Sequence, residues 1–215
     1  LPERKIVVIP NGVDVARFQA AEPADLQALG VPPGRRAVVS VGRLDRQKRV
    51  DWLVDRFAAI AAQVPDYDLL LVGEGALREK VVRRAAAAGI SERVHLAGFR
   101  DDVPSILRAA ELFVLASAWE GMPNAVLEAM AAGLPVLATS AEGVRAALAP
   151  ADSAQVVEIG DAGGFEAAFL RLLNSADERS RLGRENLRIA AENHSLTAMV
   201  EAYAALYREL IEKKK

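Results

Sequence analysis

The chain contains no cysteine and two histidines, His95 and His194. That excludes disulfides, thiolate nucleophiles and cysteine-held zinc, gives a histidine metal cage no support, and fits a reducing compartment. Neither sign of charge is in excess. Lys and Arg number 27 against 29 Asp and Glu, for a formal net charge of -2, so no nucleic-acid partner is expected and any anion site must be local. No apolar run reaches the roughly 18 to 20 residues that span a bilayer, and the opening Leu1-Pro-Glu-Arg-Lys lacks the apolar stretch of a signal peptide. The chain therefore reads as soluble and cytoplasmic. What it does have is a globular composition, 52% hydrophobic and 26% charged over 215 residues, enough for a single domain with a substantial core.

Short β-branched runs alternate with helical stretches. Ala37 to Val41, Asp68 to Val72, Val94 to Ala97, Leu112 to Ala116, Pro135 to Ala138 and Gln155 to Ile159 read as strands, and Ile6 to Ile9 is strand-like. Their nearly unbroken apolar character suits parallel strands covered on both faces, and helical spacing between them, as in Trp52, Leu53, Phe57, Ile60 and Ala61, supplies the cover. The expected fold class is α/β, a Rossmann-like parallel sheet sandwiched by helices. Glycine or serine follows several strands, at Gly42, Gly73, Gly98 and Ser117, which puts those loops along the carboxyl edge where ligands bind in open α/β sheets. Helices are expected near 161 to 174, 176 to 193 and 196 to 212. The last has Ser195 as its N-cap, the stripe Leu196, Met199, Val200, Tyr203, Tyr207, Leu210 and Ile211, and a solvated Lys213-Lys-Lys215 end.

Two stretches carry chemistry. The strand ending at Val41 runs into Gly42-Arg43-Leu-Asp-Arg-Gln-Lys48, with a helix beginning near Arg49. A glycine turn with two cations beside a helix N-terminus is a physical recipe for a diphosphate, although the same residues would serve as an ordinary solvated loop. The second stretch is Trp119-Glu-Gly-Met-Pro-Asn-Ala-Val-Leu-Glu128. Pro123 suits a first helical turn, so Glu120 falls in the loop and Glu128 inside the helix. Main-chain N–H groups of Gly121, Met122, Asn124 and Ala125 then face the loop as donors for an anion or for sugar hydroxyls. A glycosidase also uses two carboxylates, but a loop-plus-helix pair does not place them across a bond.

On these residues the sequence resembles the C-terminal, donor-binding domain of family 4 retaining glycosyltransferases of the GT-B fold. The matching segments are Ile9-Pro-Asn-Gly-Val-Asp14, Val41-Gly-Arg-Leu, Val72-Gly-Glu-Gly75, Gly98-Phe99, the Glu120 to Glu128 pair and Glu128-Ala-Met-Ala-Ala-Gly-Leu-Pro-Val136, covering nearly the whole chain. The resemblance implies that Arg43 and Lys48 grip the diphosphate of a nucleotide sugar and that Glu120 with the following amides holds the sugar. It further implies that Glu128 meets the ribose, that main-chain groups near Phe99 and Arg100 meet the base, and that Gly42, Gly73 and Gly75 line the donor site. It implies no metal and no other cofactor. It also implies an N-terminal acceptor domain, supplied by the same enzyme or a partner subunit, to which nothing in 1 to 215 corresponds. The helix over 195 to 215 would pack on that domain, and any peripheral membrane association would run through it. Rival readings are a nucleotide-sugar epimerase of the same architecture and a non-catalytic nucleotide-sugar-binding subunit.

Other features read as structural. Asp66-Tyr-Asp68 looks like an Asp-x-Asp metal motif but precedes its strand, at the wrong edge, and reads as a solvated loop. Gly73-Glu-Gly75 lacks the third glycine of a dinucleotide fingerprint, Arg78 standing there. His95 reads as a structural histidine, His194 as a surface or capping residue, Trp52 as core and Asn186 as part of a solvated helix face. Trp119 is equally compatible with packing under the sugar loop and with exposure.

Overall fold

The computed structural model describes residues 6–149 and 153–213; Leu1 to Lys5, Lys214 and Lys215 lie outside the described residues. Six strands, β1 (Arg36–Val41), β2 (Tyr67–Val72), β3 (Val94–Gly98), β4 (Leu112–Leu115), β5 (Val136–Thr139) and β6 (Val156–Val157), form one sheet in the order β3-β2-β1-β4-β5-β6. Every pairing is parallel, in registers such as Val39 opposite Leu70 and Phe113 opposite Val136. The strand order reverses direction between β1 and β4, which in a doubly wound sheet opens a crevice at their carboxyl ends. The helices are α1 (Val15–Gln19), α2 (Val50–Ile60), α3 (Arg78–Ala87), α4 (Val103–Ala109), α5 (Asn124–Ala131), α6 (Glu142–Leu148), α7 (Ala162–Asn174), α8 (Ala176–Asn193) and α9 (Leu196–Glu212).

The period-two alternation of the strands divides the core in two. Val39, Leu70, Phe113, Leu115 and Val136 point to one face, covered by Phe18, Ile106, Leu107, Val126, Met130 and Val144 from α1, α4, α5 and α6. Val38, Leu69, Leu71, Leu112, Val114 and Leu137 point to the other, under Leu53, Phe57, Val81, Phe165 and Phe169 from α2, α3 and α7. Helix α8 reaches both, with Leu182 in one cluster and Ile189 in the other. Strands buried on both sides explain the continuous apolar runs.

Several expectations need correction. Ile6 to Ile9 is no strand: Ile6, Val7 and Val8 are exposed, and the entering chain first pairs at Val13. The N–H of Val13 donates to His194 O at 2.7 Å, and its carbonyl accepts from Leu196 N at 3.0 Å. β6 is two residues long, because an edge strand gains hydrogen bonds on one side only and the chain turns away at Glu158. The helix after Pro123 starts at Asn124, with Pro123 as its N-cap. Trp52 is half-buried, edge-on to Phe165 at 5.1 Å and flanked by the guanidinium groups of Arg49 and Arg56, which tolerate water where a core neighbour would not. Asn186 is fully buried: its Nδ2 donates to Leu134 O and Gln155 Oε1, both at 2.8 Å, and tethers α8 to the segments flanking β5 and β6. His194 is the C-cap of α8, one of the two roles expected of it, but it is buried rather than at the surface, with Nε2 donating to Ala147 O at 3.0 Å.

Asp68 is the largest departure from the expected solvated loop. Asp66 is exposed, but Tyr67 and Asp68 open β2 and are buried. The Asp68 carboxylate receives Arg93 Nε at 3.0 Å, His95 Nε2 at 2.8 Å and Arg35 Nη2 at 3.2 Å, while Arg93 also donates to the carbonyl of Val64. Burial alone would raise the Asp68 carboxyl; hydrogen bonds from His95 and Arg93 and the charge of Arg35 outweigh it and hold the group below its ordinary range. His95 is thus structural, as expected. A carboxylate with a depressed folded-state pKa stabilises the fold above its ordinary value and loses that contribution as pH falls through the folded value. Asp68→Asn is therefore expected to cost about 3 kcal/mol at pH 7, the lower end for a broken buried pair since its cations are partly exposed. In urea unfolding curves the gap between variant and parent should narrow as the pH is taken below about 4.

Candidate functional site

The loops after β1 and β4 meet over the strand-order reversal. After β1 the chain turns at Gly42, runs through Arg43 to Lys48, and enters α2 at Arg49, which adopts a left-handed backbone conformation with φ of 49°. Asp45 closes this turn by accepting from Lys48 N at 3.0 Å. Glycine is required at position 73, where a Cβ would lie 2.0 Å from Gly42 O; the loops after β1 and β2 pack backbone to backbone. After β4, Ser117 leads through Trp119 and Glu120 to α5, and α6 supports this loop from behind. Gly143 N donates to Glu120 O at 3.2 Å, and a Cβ at Gly143 would lie 1.9 Å from Gly121 O.

Two adjoining clefts open along this edge. One, of about 480 Å³, is lined by Val41, Gly42, Arg43, Val72, Gly73, Glu74, Phe99, Arg100, Val103 and Glu128. The other, of about 390 Å³, shares Val41, Gly42, Arg43 and Glu128 with the first and adds Gln47, Lys48, Glu120, Met122, Pro123, Asn124 and Ala125. The sequence-selected Gly42, Arg43, Lys48, Gly73, Phe99, Arg100, Glu120, Met122, Asn124, Ala125 and Glu128 thus converge. Gly75 does not line either cleft; it packs against Leu44, where a Cβ would meet Leu44 O at 2.4 Å. Gly121 lines neither cleft, although its N–H, like those of Met122, Asn124 and Ala125, donates to no protein acceptor among the described residues. Trp119 is 60% exposed, so it does not pack beneath the loop; its carbonyl accepts from Gln47 Nε2 at 3.0 Å.

The electrostatics separate the charged groups. Lys48 Nζ lies 2.6 Å from Glu120 Oε1, and both side chains are largely buried. Arg43 is mostly exposed, pairing with Asp45 at 3.2 Å and Gln47 at 3.1 Å, contacts weak enough to be given up to a ligand. Arg100 is held by Asp102 at 2.6 Å. Glu128 differs from all of these: its carboxylate receives no hydrogen bond among the described residues, and burial pushes its pKa up, opposed only by the charge of Arg17. A half-buried carboxylate at the junction of two clefts with its acceptors unused suits a ligand's paired hydroxyls.

Ser117, Gln47, Glu74 and Asn11 carried no assigned role in the sequence. Ser117 Oγ donates to Glu120 Oε1 at 2.6 Å, and Asn11 Nδ2 donates to Asn124 Oδ1 at 2.8 Å at the start of α5. Asn11, Gln47 and Glu74 lie inside segments singled out in the sequence, so that signal was present; what had no local signature was the partner each meets across the fold.

An open parallel sheet with a switch-point crevice edged by cations and a helix N-terminus defines a ligand-binding α/β domain. The model of glycosyl transferases group 1 matches residues 35–175, and the chain belongs to that family. It is 31% identical to the lipopolysaccharide core biosynthesis glycosyltransferase LpsE of Rhizobium meliloti, over 95% of this chain and 58% of that protein. It is likewise 31% identical to an Escherichia coli UDP-Gal:alpha-D-GlcNAc-diphosphoundecaprenol alpha-1,3-galactosyltransferase, over 98% of this chain and 56% of that protein. Among solved structures, a glycosyltransferase from Rickettsia africae superposes with a TM-score of 0.87 at 19% identity, over 98% of this chain and 59% of that one. Anabaena HepE, solved with UDP and glucose, gives 0.84 at 22% identity, over 94% and 57%. The fold is that of the C-terminal half of GT-B glycosyltransferases, and the chain spans little more than half the length of these relatives.

A group whose folded-state pKa is raised destabilises the fold once ionised: stability is lost as pH rises from the ordinary carboxylate value through the folded value, and the cost is fully present above the folded value. Glu128→Gln is expected to raise the melting temperature at pH 7, by about 2 to 4 °C for each kcal/mol relieved, with the advantage disappearing near pH 4. A lower melting temperature in calorimetry would contradict the reading of Glu128 as an unpaired, strained carboxylate.

Proposed function

We propose that this domain binds a nucleoside-diphosphate sugar as the donor half of a family 4 glycosyltransferase, which with an N-terminal acceptor domain transfers the sugar with retention of configuration. The single observation that carries the reading is the pair of adjoining clefts that share Gly42, Arg43 and Glu128. A nucleotide sugar has four chemically distinct parts in a fixed order, and the clefts offer surroundings for each. The larger is walled by Phe99, Arg100 and Val103, where main-chain groups take the base. Glu128, at the junction, takes the ribose hydroxyls. Arg43 and Lys48 hold the diphosphate, and Glu120 with the amides of Gly121, Met122, Asn124 and Ala125 holds the sugar. Arg43, Lys48 and Glu120 act as the catalytic groups, the cations and the N-terminus of α5 stabilising charge on the departing diphosphate without a bound metal.

The acceptor half is part of the proposal. The donor groups line one edge of one sheet, and transfer needs a second surface that orients an acceptor and excludes water. Helix α9 supports that reading: none of its residues is buried, and Leu196, Val200, Tyr203, Tyr207, Leu210 and Ile211 are all exposed. We place the activity in the cytoplasm, consistent with the absence of cysteine; no helix among the described residues is long and apolar enough to cross a membrane.

Calorimetry with UDP, GDP and ADP in the presence of a chelator tests the donor site. The preferred diphosphate should bind without a divalent cation, and Arg43→Ala and Lys48→Ala should each weaken it by roughly tenfold or more, the worth of a charge-assisted hydrogen bond. Magnesium-dependent binding that neither substitution affects would contradict the assignment.

A further inference from the structure

Ser117 is fully buried at the end of an apolar run, where alanine would fill the space without a polar group to satisfy. Among the described residues its hydroxyl has one partner, Glu120 Oε1 at 2.6 Å, the same oxygen that Lys48 Nζ approaches at 2.6 Å. Glu120 Oε2 accepts from no donor among the described residues, so one carboxylate oxygen is anchored and the other is free. Behind Ser117, the Thr139 hydroxyl at the end of β5 donates to Ser117 O at 2.6 Å and is itself buried. The chain β5, Thr139, Ser117, Glu120 thus runs from the rigid sheet to the loop.

We propose that Ser117, pinned by Thr139, is a positioning residue that fixes the Glu120 carboxylate for sugar recognition. The inference rests on the proposed donor reading, in which Lys48 also serves the diphosphate. A lysine is a flexible point charge and will share or leave Glu120 when a dianionic group arrives beside it. Ser117 cannot exchange partners in this way, because its hydroxyl is sealed in the interior. It is therefore the anchor that keeps Oε1 in place in the loaded site and leaves Oε2 aimed at the sugar hydroxyls, a placement that has to hold within a fraction of an ångström for selective recognition.

The test compares binding of UDP, GDP and ADP with that of UDP-glucose, UDP-galactose, UDP-N-acetylglucosamine, GDP-mannose and ADP-glucose, taking the tightest matched pair for the unaltered chain. The increment due to the sugar is then measured in Ser117→Ala, Glu120→Ala, the double variant and Thr139→Val. Ser117→Ala should leave the diphosphate within about threefold and lose roughly tenfold of the sugar increment, the worth of a hydrogen bond to a charged group. The double variant should lose nothing beyond Glu120→Ala, because Ser117 acts only through Glu120. Thr139→Val should shift the sugar increment in the same direction by less, and it decides the matter if Ser117→Ala does not fold. Equal losses for diphosphate and nucleotide sugar, or a further loss in the double variant, would overturn the positioning role. A sugar increment untouched by Glu120→Ala, or binding of none of these probes, would overturn the donor reading and this inference with it.

Discussion

The loops that leave the carboxyl ends of β1 and β4 are tied together by the Lys48–Glu120 ion pair, by Ala118 N donating to Gln47 O at 2.8 Å, and by Gln47 Nε2 donating to Trp119 O at 3.0 Å. All three ties cross the strand-order reversal. In a parallel sheet these two strands send their helices to opposite faces, so without such ties the crevice would be a gap between independent loops. The ties hold Arg43, Lys48, Glu120 and the free amides at the start of α5 around one space before a ligand is present. Under the proposed donor reading, the loops on both sides of the crevice are in place before a ligand enters, so little backbone rearrangement is needed to surround it.

Stability and function are separated along the strand axis. At the amino edge, Asp68 is a buried carboxylate held by Arg35, Arg93 and His95. At the carboxyl edge, Glu128 is half-buried with no donor among the described residues, and Arg43 is itself exposed with weak contacts to Asp45 and Gln47. The first arrangement locks β2 and β3 to the turn before them and contributes to the fold. The second leaves polar capacity unused and costs stability, which is the usual mark of a surface made for a ligand.

The sheet was legible because its central strands are buried on both faces, so they announce themselves as short apolar runs, several of them closed by glycine or serine. The charged loops were legible because the glycine turn, the cations and the two glutamates lie close in sequence. Burial of polar residues was not. Asp68 and Asn186 look solvated beside Asp66 and among the arginines of α8, and only long-range partners, Arg93 and His95 for one and Gln155 and Leu134 for the other, make their burial tolerable. Ser117 was placed at the carboxyl edge by its position after a strand, but its contact with Glu120 was not legible, since a serine ending a strand carries no local sign of the carboxylate it meets. Ile6 to Ile9 misled in the opposite direction: β-branched residues make a strand only where an edge is open to pair with, and here the chain meets the α8–α9 junction instead.

In the proposed reading a nucleotide sugar lies along the carboxyl edge, from Phe99 to the start of α5. Amide hydrogen exchange with and without the preferred nucleotide sugar reads that edge directly. The account predicts slowed exchange in Gly42 to Lys48, Phe99 to Val103 and Gly121 to Ala125, with Tyr67 and Asp68 at the amino edge unchanged. Protection confined to other segments, or spread evenly through the domain without these three, would contradict it.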